Sequence, residues 1–246
     1  MRHRVLDPLP VFPIVCVNLG LVYVARAYGV HFDPADLLIF PVFVLSVVVH
    51  ECAHGLVALW HGDSTARDSG RLTLNPLRHM DPVGSLLLPG ALMLLRSPVV
   101  FGWAKPVPLQ WANLRSPRND PAKVALAGPA SNFLLALGFS ALARWAPASG
   151  FFAPLGEMAY AGVVVNCALG IFNLIPIPPL DGSWVLMRFL RLRHIIALQH
   201  FRFVGLGLVA LLLGSPMTSH LFYGPLRIAV HACLDLCGVP RAGSPL

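Results

Sequence analysis

The feature that most constrains this chain is a series of apolar runs, most of them close to the length of a membrane-spanning helix. The runs lie at about 9–28, 36–60, 83–101, 122–146 and 157–175, and a broken apolar stretch follows at 201–237. A helix that crosses a bilayer needs about 20 predominantly apolar residues. Only 12% of the residues are charged, about half the share in soluble domains. The sequence therefore predicts an all-α polytopic membrane protein with about six transmembrane helices, in a single membrane-embedded domain over residues 1–246.

The positions of the basic residues predict which way these helices face. The net charge is +7, and the lysines and arginines lie in short loops between the apolar runs. If the run at 83–101, which has a Pro-Gly pair at its centre, enters and leaves by one face, 13 basic residues share one side and the opposite loops have two. Loops rich in Lys and Arg stay in the cytoplasm. This predicts a re-entrant 83–101, a multi-pass protein of the cell membrane and no nucleic-acid partner, whereas a spanning 83–101 would weaken the asymmetry.

The two ends of the chain leave their topology open. The first apolar run ends near Ala25-Arg26-Ala27, which suits a cleavable signal peptide, but the length of the run at 9–28 favours a retained first span. At the other end, Ser215-Pro216 divides the stretch at 201–237, which can form two spans or one span and a surface segment.

The second run contains two histidines and one of the two glutamates of the chain, in the sequence HECAH. Asp33-Pro34 is a helix-start signal, and a helix from there places His50 and His54 on one face. At 1.5 Å per residue, His50 is roughly 24 Å from the helix start, inside the hydrocarbon layer and nearer the cytoplasmic exit. Two histidines at this spacing with a glutamate, Glu51, after the first are typical of a zinc site with a carboxylate beside a water.

A catalytic zinc site needs a third protein ligand, with water in the fourth position. The two acidic residues close to another apolar run are Glu157 and Asp181. Asp181 lies in NLIPIPPLDG, where three prolines end the helix and Gly182 permits an unusual turn. The loop charges put this break on the same side as the end of the His50 helix, whereas Glu157 begins its span on the opposite side. We therefore predict that Asp181 completes a site for one Zn²⁺ with the two histidines.

Several other polar residues have simpler structural interpretations. Asn75, His79 and Asp81 are expected to close turns, and His61 to interact with a helix C-terminus. The segment Gly128-Pro129-Ala130-Ser131-Asn132 indicates close helix packing and interhelical hydrogen bonds. A histidine pair can also be interhelical glue. Glu51 favours a functional site, because an ionisable group at the bilayer centre costs about 2.5–3.5 kcal/mol.

Together these motifs resemble the successive signatures of the site-2 protease family of intramembrane zinc metalloproteases, in a short form without PDZ or CBS domains. The matching stretches are HECAH, GRLTLNPLRHMDPVG, GWAKPVPL, AGPASN and NLIPIPPLDG. The resemblance implies a catalytic core over about 36–190, with three helices and a small membrane-embedded β-sheet. It also implies that Glu51 is the catalytic carboxylate, that Asn173 binds the substrate carbonyl, and that the zinc ligands are His50, His54 and Asp181.

The function expected from this resemblance is hydrolysis of a peptide bond in or near a transmembrane segment, on the cytoplasmic side of the membrane. The expected partners are a transmembrane protein substrate and the lipid bilayer, and a regulatory membrane partner is left open. The proline-rich segment 102–109 suits a short edge strand or an extended loop, which can hold an unwound substrate as an added strand.

Two other classes of function account for part of the pattern. A membrane metal-binding or metal-transport protein could use the same three ligands, but transporters usually carry internal repeats and polar residues along a path, and we find neither here. A catalytically silent relative that acts as a scaffold is disfavoured by the intact Glu51.

Overall fold

Helices make up most of the described structure. The computed structural model describes residues 34–87, 105–147, 154–200 and 220–239, and the isolated positions 91, 204, 205 and 208. Short 3-10 turns lie at Pro76–Arg78 and Trp111–Asn113, and a π-helical turn lies at Pro82–Leu87. The helices of these ranges are α1 (Pro34–Trp60), α2 (Thr65–Asp68), α3 (Asp120–Trp145), α4 (Pro154–Asn173), α5 (Gly182–Met187), α6 (Leu192–His200) and α7 (His220–Leu236).

Three of these helices are long and apolar enough to cross a membrane. They are Pro41–Trp60 of α1, Asp120–Trp145 and Pro154–Asn173. The predicted runs at 36–60, 122–146 and 157–175 are therefore confirmed as helices, and the protein is a helical membrane protein. The run at 9–28 lies outside the described residues, as do most of 83–101 and residues 201–203, 206, 207 and 209–219 of the broken stretch at 201–237, whose last part forms α7. The total of about six spans stays a prediction.

Helix α3 packs against both α1 and α4, and these three helices form the core around the candidate site. Glycines allow α3 and α4 to approach closely. A Cβ atom at Gly162 would lie 2.5 Å from the ring of Phe139, and one at Gly170 would lie 3.0 Å from the ring of Phe133. The two phenylalanine rings of α3 therefore occupy space that larger residues on α4 would fill, as is common between membrane helices.

The segment that precedes α3 is anchored to the end of α1 by a buried carboxylate. Asp63 is 1% exposed and accepts hydrogen bonds from the Gln110 N–H (2.6 Å), the Asn113 amide (3.0 Å), and the N–H and hydroxyl of Thr65. Burial opposes ionisation of Asp63, but these hydrogen bonds outweigh it and hold its pKa below the usual range. The Arg115 N–H also donates to the His61 carbonyl (2.9 Å). Residues 105–115 are thus held alongside the last turns of α1.

Only part of the predicted edge strand, from residue 105 onward, lies within the described residues. Residues 105–110 have no helical structure, and no strand occurs in the ranges that the structure describes. Residues 102–104 lie outside those ranges, so the membrane-embedded sheet stays a prediction.

Candidate metal centre

Two imidazoles of α1 face one another within the helix core. His50 and His54 are 5% and 7% exposed, and their Nε2 atoms are 3.1 Å apart. The rings are nearly perpendicular, at 87°. The spacing of four residues therefore produces the shared face that was predicted from the sequence.

Asp181 reaches this pair because the chain turns back sharply after α4. A Cβ atom at Gly182 would lie only 2.1 Å from the Leu174 carbonyl oxygen, so the turn needs glycine at this position. The turn buries Asp181, and its Oδ2 lies 3.2 Å from Nε2 of His50 and 3.3 Å from Nε2 of His54. The proline-rich break after α4 thus places the Asp181 carboxylate beside the two histidines.

The three atoms fit the ligand spacing of a tetrahedral zinc ion. Ligands at about 2.0–2.1 Å from such an ion lie about 3.3–3.4 Å apart, and the three separations here are 3.1, 3.2 and 3.3 Å. Oδ2 of Asp181 is buried and makes no hydrogen bond of normal geometry, so this acceptor is left for another partner. Two imidazole nitrogens and a carboxylate oxygen are one of the donor sets found in catalytic zinc sites. His50, His54 and Asp181 can therefore hold a metal ion.

Helix α3 accepts a hydrogen bond from the Nδ1 atom of each imidazole. The Nδ1 of His54 donates to the Val124 carbonyl (2.7 Å), and the Nδ1 of His50 donates to Oδ1 of Asn132 (2.6 Å). In a neutral imidazole with a proton on Nδ1, the Nε2 lone pair is free to bind a metal. From the sequence, Asn132 was expected to take part in helix packing, and no role was predicted for Val124. Nothing in the residue type of Val124 indicates this contact, whereas the spacing of Gly128 and Asn132 places both of them on one face of α3.

Gly128, the middle position of that face, leaves room at the Nε2 atoms. A Cβ atom there would lie 2.5 Å from Nε2 of His54 and 2.6 Å from Nε2 of His50. Such an atom would clash with the histidines and take up space beside both candidate ligand atoms. Gly128, which was predicted to allow close helix packing, therefore also lies directly against the two imidazoles.

Glu51 and Asn173, the two predicted catalytic residues, are also buried. Glu51 follows His50 directly, and its Oε2 accepts a hydrogen bond from the Val107 N–H (3.2 Å). Asn173 is the last residue of α4. Its Nδ2 donates to the Leu169 carbonyl (3.0 Å), whereas its Oδ1 is buried and makes no hydrogen bond. One of its polar atoms thus lacks a partner.

The remaining polar residues occupy structural positions. Glu157 is exposed in the first turn of α4, at the opposite end from Asn173. His61 bonds through Nδ1 to the Val57 carbonyl (2.8 Å) in the last turn of α1. Asn75 and Asp81 accept hydrogen bonds from the N–H groups two residues further on. These contacts agree with the turn-closing and helix-end interpretations.

We expect Gly128→Ala to abolish zinc binding, because its methyl group would displace the imidazoles or occupy the space of the ion. The measurement is zinc content and zinc affinity of the purified variant. Gly138→Ala in the same helix is the control, since a Cβ atom there meets nothing within 4 Å, and it should bind zinc like the wild type. A Gly128→Ala variant with wild-type zinc affinity would contradict this account of the space.

Comparison with known proteins finds one matching family model and several similar proteins. The family model for peptidase family M50 matches residues 145–214, which include Asn173 and Asp181. Three similar proteins bear the description "Putative zinc metalloprotease". YwhC of Bacillus subtilis is 38% identical over 59% of this chain and 68% of its own length. Rip2 of Mycolicibacterium smegmatis is 33% identical over 76% and 70%, and Rip2 of Mycobacterium tuberculosis is 32% identical over 83% and 77%. No solved structure matches the chain.

These identities extend over more than two thirds of the length of each relative. Because the same chain also brings two histidines and an aspartate to one point between apolar helices, it belongs to the site-2 protease family, peptidase family M50, and is an intramembrane zinc metalloprotease.

Proposed function

We propose that one Zn²⁺ is held by His50, His54 and Asp181, and that the enzyme uses it to hydrolyse a peptide bond in or near a transmembrane segment of a protein substrate. The observation that carries this proposal is the triangle of Nε2, Nε2 and Oδ2 atoms, with edges of 3.1–3.3 Å. Membership of a zinc protease family and the carboxylate beside the triangle favour hydrolysis over metal transport.

The chemistry divides between the ion and the side chains. When bound, zinc supplies Lewis acidity, which polarises a peptide carbonyl and brings the pKa of water toward 7. Glu51 takes the proton from the attacking water on its carboxylate and later gives it to the leaving amine nitrogen. The Val107 N–H fixes Oε2 of Glu51, so that the carboxylate stays oriented while it carries the proton.

Asn173 is the candidate donor to the oxyanion that forms during attack. Its Nδ2 carries a second hydrogen besides the one that bonds to Leu169, and its Oδ1 has no partner. A buried polar group without a partner costs about 1–3 kcal/mol. A bound peptide backbone offers both an oxygen acceptor and N–H donors, so substrate binding would satisfy this side chain.

The substrate reaches the site as a membrane-embedded peptide that has lost its helical structure locally. The ligands lie on or beside helices that are long enough to span the bilayer, which supports a substrate segment at similar depth. In an intact helix each carbonyl is bonded to the N–H four residues further on. The scissile carbonyl must therefore be released from that bond before Asn173 can donate to it.

We expect Glu51→Gln to abolish cleavage and to retain zinc, because the amide cannot take up the proton but all three ligands remain. Loss of a general acid-base group typically costs about 10²–10⁴-fold in rate. The measurement is cleavage of a transmembrane substrate in liposomes, together with zinc content. Glu157→Gln, the same change at the other glutamate, should leave both unchanged. Cleavage by Glu51→Gln at the wild-type rate would refute the proposed role.

Asn173→Ala tests the oxyanion role separately. We expect kcat to fall by about 10²–10³-fold, as on removal of an oxyanion donor elsewhere, with zinc still bound. Asn119→Ala is the matched control, since the Asn119 side chain makes no capping hydrogen bond before α3, and its kcat should match the wild type. If Asn173→Ala raises KM and leaves kcat unchanged, Asn173 binds substrate without stabilising the transition state.

We also propose that the protein crosses the cell membrane several times with its metal centre nearer the cytoplasm. The loops at the ends of α1, α3 and α4 on the side of the metal centre carry many exposed arginines, including Arg67, Arg115 and Arg188, and such loops stay in the cytoplasm.

A cysteine at position 69, beyond the metal-centre end of α1, should accordingly be labelled by a membrane-impermeant maleimide in inside-out vesicles. The same label should reach a cysteine at position 157, at the far end of α4, in intact cells. The variants for this experiment are Ser69→Cys and Glu157→Cys, both at exposed positions. The reverse labelling pattern would overturn the orientation.

A further inference from the structure

Behind the metal centre, three polar side chains are completely buried between the apolar helices. Ser46 of α1, Asn132 of α3 and Asn166 of α4 are all 0% exposed. Burial of an amide or hydroxyl in an apolar medium is unfavourable unless the group makes a hydrogen bond. Polar groups at this depth therefore need partners within the protein.

The three side chains form one continuous series of hydrogen bonds that ends at His50. The hydroxyl of Ser46 donates to the Val42 carbonyl (2.7 Å) and accepts from Nδ2 of Asn166 (2.8 Å). Oδ1 of Asn166 accepts from Nδ2 of Asn132 (3.0 Å). Oδ1 of Asn132 then accepts from Nδ1 of His50 (2.6 Å). The series thus joins all three core helices to one candidate zinc ligand.

Two backbone carbonyls fix the direction of every bond in this series. Nδ2 of Asn132 also donates to the Ser46 carbonyl (3.3 Å), and Nδ2 of Asn166 also donates to the Gly162 carbonyl (2.9 Å). A carbonyl oxygen only accepts. If either amide turned over, its oxygen would face a carbonyl oxygen, and the bond between the two amides would become a contact between two donors or two acceptors. Asn132 must therefore present its oxygen to His50.

We propose that Asn132 and Asn166 act as positioning residues that fix the proton of His50 on Nδ1, so that Nε2 is always the metal-binding nitrogen. This inference rests on the proposed role of His50 as a zinc ligand. Asn132 and Asn166 together form an amide pair. Asn132 acts directly on the imidazole, and Asn166 acts through Asn132 by occupying its Nδ2.

His54 needs no comparable device, because its Nδ1 donates to the backbone carbonyl of Val124. A backbone carbonyl cannot turn over and has no donor. A side-chain amide can turn over, and its NH₂ group would then donate to Nδ1 of His50 and favour a proton on Nε2. That tautomer would block metal binding, which is why the partner of His50, unlike that of His54, needs a second amide behind it.

The first test compares two replacements of Asn132 in the full-length protein. Asn132→Leu removes the acceptor and the donors at similar size. Asn132→Asp keeps an acceptor for Nδ1, whether or not the carboxyl is protonated. We expect zinc affinity, measured by chelator competition, to fall by about 10- to 100-fold in Asn132→Leu and to stay close to the wild type in Asn132→Asp. Equal losses in both variants, or no loss in Asn132→Leu, would overturn the proposal.

The second test works on protein that folds normally. In the zinc-loaded wild type with labelled histidine, ¹⁵N NMR should find one imidazole with a proton on Nδ1 whose signal shifts in Asn132→Asp, because a carboxyl oxygen replaces the amide oxygen as its acceptor. If no imidazole N–H signal differs between these two proteins, Asn132 does not position the ring. This measurement keeps the proposal testable even if Asn132→Leu does not fold.

Three further variants complete the experiment. Asn166→Leu does not touch His50, and we expect a smaller loss of zinc affinity than in Asn132→Leu, so wild-type affinity there would remove Asn166 from the mechanism. Ser140→Ala is the control, because Ser140 is also 0% exposed on α3 and its hydroxyl makes no hydrogen bond. Failure of the proposed function is distinguished by Asp181→Asn, since wild-type zinc affinity in that variant would refute the ligand set and leave the amide pair untouched.

Discussion

The convergence of three electron-pair donors at one point is the interaction on which the rest of this structure depends. Two imidazole nitrogens and a carboxylate oxygen lie within 3.3 Å of one another, in a region where a buried charge without a partner is unfavourable. The surrounding fold keeps them together: the turn at Gly182 delivers Asp181, and α3 holds both imidazoles by Nδ1. Gly128 leaves the space that their convergence needs. The packing of these helices therefore brings together three groups that can hold a cation.

The parts of this site that could be predicted are those set by local chain geometry. Helical periodicity alone places His50 and His54 on one face. The prolines after α4 predict that the helix ends before Asp181. The expected role of Glu51 followed from the spacing in HECAH and from the resemblance to a family, and that of Asn173 followed from the resemblance alone. None of these expectations required knowledge of how α1, α3 and α4 pack.

The parts that could not be predicted depend on that packing. Asn132, Asn166 and Ser46 are far apart in the chain, and only the crossing of three helices brings them into one network. Val124 contributes a backbone carbonyl, so its residue type gives no signal at all. A single sequence records that α3 carries a glycine and an asparagine four residues apart, but not which helix that face meets.

In the segment before α3, most backbone N–H groups already make hydrogen bonds within the protein, which limits how a substrate strand could pair with it. Pro106 and Pro108 have no N–H group, and the N–H groups of Lys105, Val107 and Gln110 already donate to His79, Glu51 and Asp63. Within 105–110 only Leu109 retains an N–H for an added strand. A substrate strand beside these residues would therefore bond mainly to their carbonyl oxygens, or else pair with the chain before residue 105. The Val107 N–H, which lies between the two prolines, binds Glu51 and is therefore not free to pair with a strand.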